Sequence, residues 1–460
     1  MQTLKITRSI LVLSIMLSIL SCDKKLDVPA QNNITPDQIQ TAEDVKAVLF
    51  GSYALLQSPN SFGERWLFAS DLLADAGQIA WIGTFVDYRH LTTKQTLTTN
   101  AIANGIWANG FSNINVVNTV LDKIDLITDN DEKVIVEGEA KAIRGMIYYY
   151  LVNYFGQPWS TGNSNTDLGV PLMLEPVYAY DSTKHKLARS TVAQVYAQII
   201  TDLTDAASKL PEESENFRVN QATAQAFLAR VYMAQGNYAA AATQADLVIS
   251  SSLFELSSTY FGAFNNLSNS FEDIFAIQQS SQSNAGTTNN GLPTFYAAQP
   301  VGRGDAQATL SYFNGGMFEP DDERGFFGYN GTSIGGTPGA YTAKFMDIYK
   351  AIPIVRLAEM YLTRGEANLR NGTTIGADPL DDINAVRERS GATTLGAVTA
   401  TDFITERFRE LAFEGDRLWT LKRTQATIDA RPYNDSKLIL PIPQREIDVN
   451  KNLVQNAGYQ

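Results

Sequence analysis

Few residues in this chain have the type and spacing for covalent chemistry. Its 460 residues include one cysteine, Cys22, and two histidines, His90 and His185. The histidines lie far apart and in no H-E-x-x-H context, so a histidine-rich zinc centre is not expected. Gly331-Thr332-Ser333-Ile334-Gly335 fits the G-x-S-x-G form of a nucleophile elbow. Such an elbow follows a buried strand, opens a helix, and needs a histidine downstream. Here the string sits inside GYNGTSIGGTPG and both histidines lie upstream, so it reads as a turn. Gly302-Arg303-Gly304 lacks the third glycine of a dinucleotide fingerprint. Glu319, Asp321, Asp322 and Glu323, beside Arg324, could hold Ca²⁺. They lack the Asp/Asn-Gly spacing of a calcium loop, and a solvated turn is expected instead. No metal or other cofactor is expected. The carboxylate pair of a glycoside hydrolase is defined by separation in space, which spacing along the chain does not give.

Cys22 is suited to a different reaction. Lys5 and Arg8 precede an apolar run over residues 10–20, about eleven residues long, against the roughly 20 a bilayer requires. That matches the hydrophobic part of a secretory signal. Ile19-Leu20-Ser21-Cys22 resembles a bacterial lipobox, in which the cysteine thiol is acylated and becomes the first residue of the mature chain. One cysteine cannot form an internal disulfide, so pairing is not its role. Residues 1–21 are expected to be a lipoprotein signal peptide, Cys22 the lipid attachment, and 22–40 a tether, polar and containing two prolines. No other segment approaches 18 continuous apolar residues, so the mature chain is expected to be anchored and not to span.

Composition narrows the ligand class. The formal charge is −13 and no basic block offsets it, so binding to nucleic-acid phosphates is not expected. Only 18 % of residues are charged, while 20 Tyr, 22 Phe and 5 Trp accompany abundant Asn, Thr, Ser, Gln and Gly. This profile suits an extracellular protein that meets neutral polar ligands.

The elements that would position such a site are mostly helical. Residues 139–155 carry Ala142, Met146, Tyr149/Tyr150 and Asn153 at three-to-four spacing, ended by Gly156 and Pro158. In 223–250, Leu228, Ala229 and Tyr232 lead through Gly236-Asn237-Tyr238 to Ala241 and Ala245, a tetratricopeptide spacing in which small residues let two helices approach. Residues 356–385 repeat it loosely, and 41–57 and 107–127 read as amphipathic helices. Residues 257–339 are dense in Gly, Asn, Ser and Thr, with one strand-like stretch at 271–279. The expected fold is mainly α. A tetratricopeptide-like helix-pair scaffold carries a long irregular, loop-rich ligand-binding part and minor β, with 41–460 forming one domain.

The C-terminal third carries a family resemblance. Residues 354–362 (IVRLAEMYL) with Gly365-Glu366-Ala367 resemble the "RxAEvyLxxAEA" helix of the SusD/RagB family. Residues 383–391 (INAVRERSG) resemble its "lNavRxRaG" segment, and 406–417 (ERFRELAFEGDR) its "ERrrELafEgxR" segment. Residues 440–447 (LPIPQREI), with Asn450, Gln455-Asn456 and Gly458-Tyr459, resemble its ending. Cys22, Leu26-Asp27 and the 139–156 stretch also fit, in order. Gly365 stands where the family usually has Ala, and Thr420 where Asp is common.

The resemblance implies a cell-surface outer-membrane lipoprotein that caps a SusC-like TonB-dependent transporter and captures glycans or, in some members, peptides, without catalysis. It also implies that Arg356, Glu359, Arg407, Glu410 and Arg417, with Arg387 and Arg389, are charges paired within the scaffold. Contact residues carry no family motif and are read from chemistry. A sugar offers an apolar C–H face and a rim of hydroxyls, so its binder needs aromatic planes beside Asp, Asn, Gln or Arg. Residues 71–89 supply Asp75, Gln78, Trp81, Tyr88 and Arg89, and residues 296–329 supply Tyr296, Arg303, Asp305 and Tyr329. Trp107 and Trp419 fall in helical motifs and are expected in the core. A peptide or other polar nutrient, a surface glycosidase, and a scaffold with no small ligand are the competing readings.

Overall fold

A computed structural model describes residues 36–460, apart from Asn216. The expected signal, Cys22 and most of the expected tether lie outside the described residues. The described residues divide into two units between Gln40 and Thr41. In the first, the described residues include one 3-10 turn, Pro36–Gln38. The second begins with α1 (Ala42–Gln57), α2 (Arg65–Leu73), β1 (Ile79–Trp81), α3 (Val86–Thr92), α4 (Ala101–Asp122) and α5 (Asn130–Phe155). Next come α6 (Ser182–His185), α7 (Val192–Lys209), α8 (Gln221–Gln235) and α9 (Tyr238–Ser250). The irregular part carries β2 (Asp273–Ile277), α10 (Leu292–Tyr296), β3 (Ala306–Ala308), α11 (Leu310–Asn314), β4 (Gly328–Thr332), β5 (Pro338–Thr342) and β6 (Ile352–Arg356). Helices α12 (Leu357–Asn371), α13 (Pro379–Arg389), α14 (Ala400–Leu411), α15 (Arg417–Arg423) and α16 (Gln444–Val449) complete it.

About half of the residues are helical. Helices pack in a running series: α1 on α4, α4 on α5, α5 on α7, α7 on α8, α8 on α9, α9 on α12, and α12 on α13 and α14. Local chemistry marks several of the starts. Thr41, Thr191, Asn220 and Thr399 accept from the backbone N–H three residues on, closing capping boxes that satisfy otherwise orphaned donors. The α8–α9 turn depends on Gly236, whose φ of +71° belongs to the left-handed region. Beyond it Ala241 and Ala242 pack without side-chain bulk against Met233 and Ala367. The spacing-based reading of this helix pair therefore holds.

The irregular part is fastened to the helices by buried charge. Arg356 Nη1 donates to Glu272 and to Glu410, each at 2.9 Å, and its Nε to Glu414 at 2.8 Å. Arg389 bridges the same Glu272 and Glu410. Arg324, 1 % exposed, holds Asp322 at 2.8 Å and also pairs with Glu406. Surrounding cations hold the Glu410 carboxyl well below its ordinary range despite its burial. The acidic cluster is thus no solvated turn. Asp322 is 1 % exposed, Glu319 pairs with Arg387, and Glu323 accepts from the Tyr260 N–H at 2.6 Å.

The minor β structure includes a four-stranded sheet in the order β1-β3-β5-β4, and β2 pairs with β6. The first sheet joins residues near 80 to residues beyond 300, with Ile79 opposite Ala308 and Trp81 opposite Ala306.

Candidate ligand-binding face

The two stretches singled out for binding meet at this sheet. After Trp81 the chain turns through Gly83, where a Cβ would stand 2.5 Å from Trp81 Cζ2 and 2.8 Å from Asp305 Cβ. Only glycine lets the backbone lie that close. The Ile82 N–H donates to the Asp305 carbonyl at 2.9 Å, extending the β1–β3 pairing by one bond. Phe85 then leads into α3, which the sequence pattern had not revealed.

Aromatic rings fill the space behind the turn. The Trp81 ring lies 5.0 Å from Tyr88, 5.7 Å from Phe295 and 5.9 Å from Phe68, measured between centroids. Phe85 packs edge-on against Tyr88 and Phe295. Tyr88 is buried, and its hydroxyl donates to Glu64, which also accepts the Gly291 N–H at 2.7 Å. Burial pushes the Glu64 carboxyl up to about 7.

On the outer side, Arg303 sets its guanidinium 4.9 Å from the Phe85 ring centroid and donates from Nε to Asp305 at 2.7 Å. Ile82, Val86 and Ile334 are exposed along the same segments, and the Ile334 N–H donates to the Arg303 carbonyl at 2.7 Å. Nε is held by Asp305 and Nη1 by Asn289 Oδ1 at 3.3 Å, which leaves Nη2 as the donor of an arginine set against an aromatic ring, beside apolar side chains. That combination suits a ligand with one apolar face and a polar rim.

The structure brings Trp81, Tyr88, Arg303 and Asp305 together, with Tyr88 and Asp305 beneath the surface. Of the other candidates Arg89 stays at the turn, and the rest are engaged within the protein. Asp75 is held by Arg417 through two bonds of 2.6 and 3.1 Å. Gln78 and Tyr296 are buried and both donate to Asp71, at 2.7 and 2.8 Å. That carboxyl also accepts the Gly415 N–H, yet burial outweighs the three donors and raises it to about 7. Arg89 is exposed and donates to the Gly83 carbonyl at 3.1 Å. Tyr329, on β4, accepts the Ala298 N–H at 2.9 Å. Ser333 accepts the Thr337 N–H at the β4–β5 turn, as befits a turn residue and not a nucleophile. Phe85 and Phe295 escaped sequence reading, although Phe85 stands three residues before Tyr88, one helical turn away.

Family profiles match over most of the chain. One described as "Starch-binding associating with outer membrane" covers residues 26–233, and that of the SusD family covers 337–429 and 423–459. The chain belongs to the SusD/RagB family. SusD-like protein P2 of Formosa agariphila is 24 % identical, with the whole of each chain aligned. The starch-binding protein SusD of Bacteroides thetaiotaomicron is 37 % identical over 24 % of this chain and 22 % of its own. A SusD superfamily crystal structure from Bacteroides thetaiotaomicron superposes with a TM-score of 0.82 at 26 % identity, covering 90 % of this chain and 99 % of that one. The SusD/RagB signature residues do pair internally here: Arg356 with Glu410, Arg407 with Glu359, and Arg417 with Asp75.

Proposed function

We propose that this SusD/RagB member is a non-catalytic cell-surface protein that captures oligosaccharide and passes it to a SusC-like TonB-dependent transporter. The Arg303–Phe85 pair carries this reading, because a fixed cationic donor set against an aromatic ring and beside exposed apolar side chains matches the two-sided chemistry of a sugar ring. The glycan-binding names of SusD relatives support the ligand class. Cys22 would supply the lipid anchor, and the folded body would reach the transporter from a tether over 22–40. A shallow surface buries little area, so affinity at a single site is modest and delivery depends on proximity to the transporter.

The test is a glycan array run beside a peptide library, using the protein from Cys22 onward with the cysteine replaced. The Phe85→Ala and Arg303→Ala variants go through the same screen. Binding to glycans, lost in both variants, is the expected result. Binding confined to peptides, or glycan binding that both variants keep, would refute this assignment.

A further inference from the structure

The arginines of this protein are almost all neutralised. Among the described residues every arginine reaches a carboxylate except Arg89, Arg189 and Arg445. Arg189 is buried and donates to backbone carbonyls and to Asn456. Arg445 is exposed on α16, on a cleft that no residue of the candidate face lines. Arg89 is thus the one arginine left without a counter-charge at the face.

The Arg89 side chain is exposed and yet held. Its Nη2 donates to the Gly83 carbonyl at 3.1 Å, which ties the guanidinium to the turn between Trp81 and Phe85. Its Nε and Nη1 meet no acceptor among the described residues. Arg303 reaches the same turn from the neighbouring strand. Its partner Asp305 lies against Gly83, where a Cβ would stand 2.8 Å from the Asp305 Cγ, and its Nη2 donates to no described residue.

The nearby carboxylates are engaged elsewhere. Asp305 is buried and takes the Arg303 Nε at 2.7 Å. Asp87 stands two residues before Arg89, on another side of α3, and its Oδ1 accepts the Ala101 N–H at 3.2 Å where α4 begins. Glu64 is fully buried and takes the Tyr88 hydroxyl and the Gly291 N–H.

We infer that the face takes an acidic oligosaccharide, with a carboxylate or sulfate on its sugar ring received by Arg89 and by Arg303 Nη2. The inference rests on the oligosaccharide reading above and narrows it. A guanidinium presents its N–H groups in one plane and bonds the oxygens of an oxyanion in pairs. One already held by a backbone carbonyl has less freedom to lose on binding. Composition pointed to neutral ligands, and the chain's charge of −13 does repel polyanions at long range. Recognition of an acidic sugar is therefore confined to contact distance, within the screening length of salt, and to this turn.

The probes are oligosaccharides of galacturonate, of alginate and of sulfated galactan, each beside its neutral counterpart made by methyl esterification or desulfation. They are titrated calorimetrically into the protein from Cys22 onward with the cysteine replaced. At least one acidic probe is expected to bind at least about tenfold more tightly than its counterpart, and which one binds tells carboxylate from sulfate. Arg89→Gln removes that preference and leaves the neutral affinity and the melting curve unchanged. Arg89→Lys keeps the charge and part of the preference, and added salt erodes it. Neutral probes bound as tightly as acidic ones, with binding lost in Phe85→Ala, would overturn this inference and leave the oligosaccharide reading standing. A preference that survives Arg89→Gln would overturn it as well. Binding of no glycan, acidic or neutral, would end both.

Discussion

Arg303 rests on the Phe85 ring, its guanidinium 4.9 Å from the ring centroid, and the two residues come from segments more than 200 positions apart. The β1–β3 pairing brings them together, and Asp305 fixes the angle of the guanidinium. The planar surface is therefore a product of tertiary structure, and several of its supports can be removed one at a time.

Asp305 receives the Arg303 Nε at 2.7 Å while itself buried. Asp305→Asn keeps the shape and removes the charge that orients the guanidinium. Affinity for the glycan returned by the array is expected to fall about threefold to tenfold, with the fold retained. Calorimetric titration of the variant against wild type measures this.

At Gly83 the added methyl of Gly83→Ala meets the Trp81 ring and Asp305 within 3 Å. The rings behind the turn must shift, at about 1–3 kcal/mol. A changed tryptophan emission, a lower urea midpoint and weaker ligand binding should appear together. A silent substitution would mean that the turn is more open than described.

Arg356 faces Glu272, Glu410 and Glu414 with no exposed side-chain surface. Arg356→Met would leave three carboxylates facing one another, relieved only by Arg389, Arg324 and Lys344. Destabilisation of about 3–5 kcal/mol is expected, read from denaturant unfolding. The Glu410→Gln change in the same background should recover part of it.

The pH dependence of stability follows from four buried acids, of which Asp382 is raised by burial to about 6. Burial raises Glu64, Asp71 and Asp273 to about 7 each, against roughly 4 in an unfolded chain. Each binds its proton more tightly when folded, so its contribution is complete below about pH 4 and is lost as pH climbs to 7. Lys344 and Lys422, lowered by burial to about 8 and about 7, are still mostly charged in both states below 7 and do not compensate there. Glu366, Glu414 and Asp416, held low by arginines and Lys344, lose their contribution only below about pH 4.5. Thermal melts should therefore peak near pH 5 and decline toward pH 7. A flat profile across that interval would contradict the burial of these groups.

How much of this was legible in the sequence depended on distance along the chain. The α8–α9 pair and its Gly236 turn were readable because their spacing is local. The family motifs pointed to the internal charge pairs, although Arg417 proved to hold Asp75, which had looked like a ligand contact. Helix α3 was hidden because seven residues give no sustained period. The acidic cluster misled because Asp322 and Glu319 look solvated until Arg324 and Arg387 are placed beside them. At the candidate face, Trp81 and Arg303 were individually visible. Their meeting was not, since no local signal specifies a strand register across 225 residues.

That long-range register has a consequence for when the candidate face forms. Strand β1 enters the sheet early in the chain, but its partner β3 is reached only at Ala306, and β3 needs β5 at Ala340. An N-terminal fragment can assemble the first helix pairs, whose contacts are local, well before the Arg303–Phe85 contact exists. The candidate face is thus incomplete until about three-quarters of the polypeptide is present, so a chain cut short before Ala340 would keep its first helix pairs and lack the face.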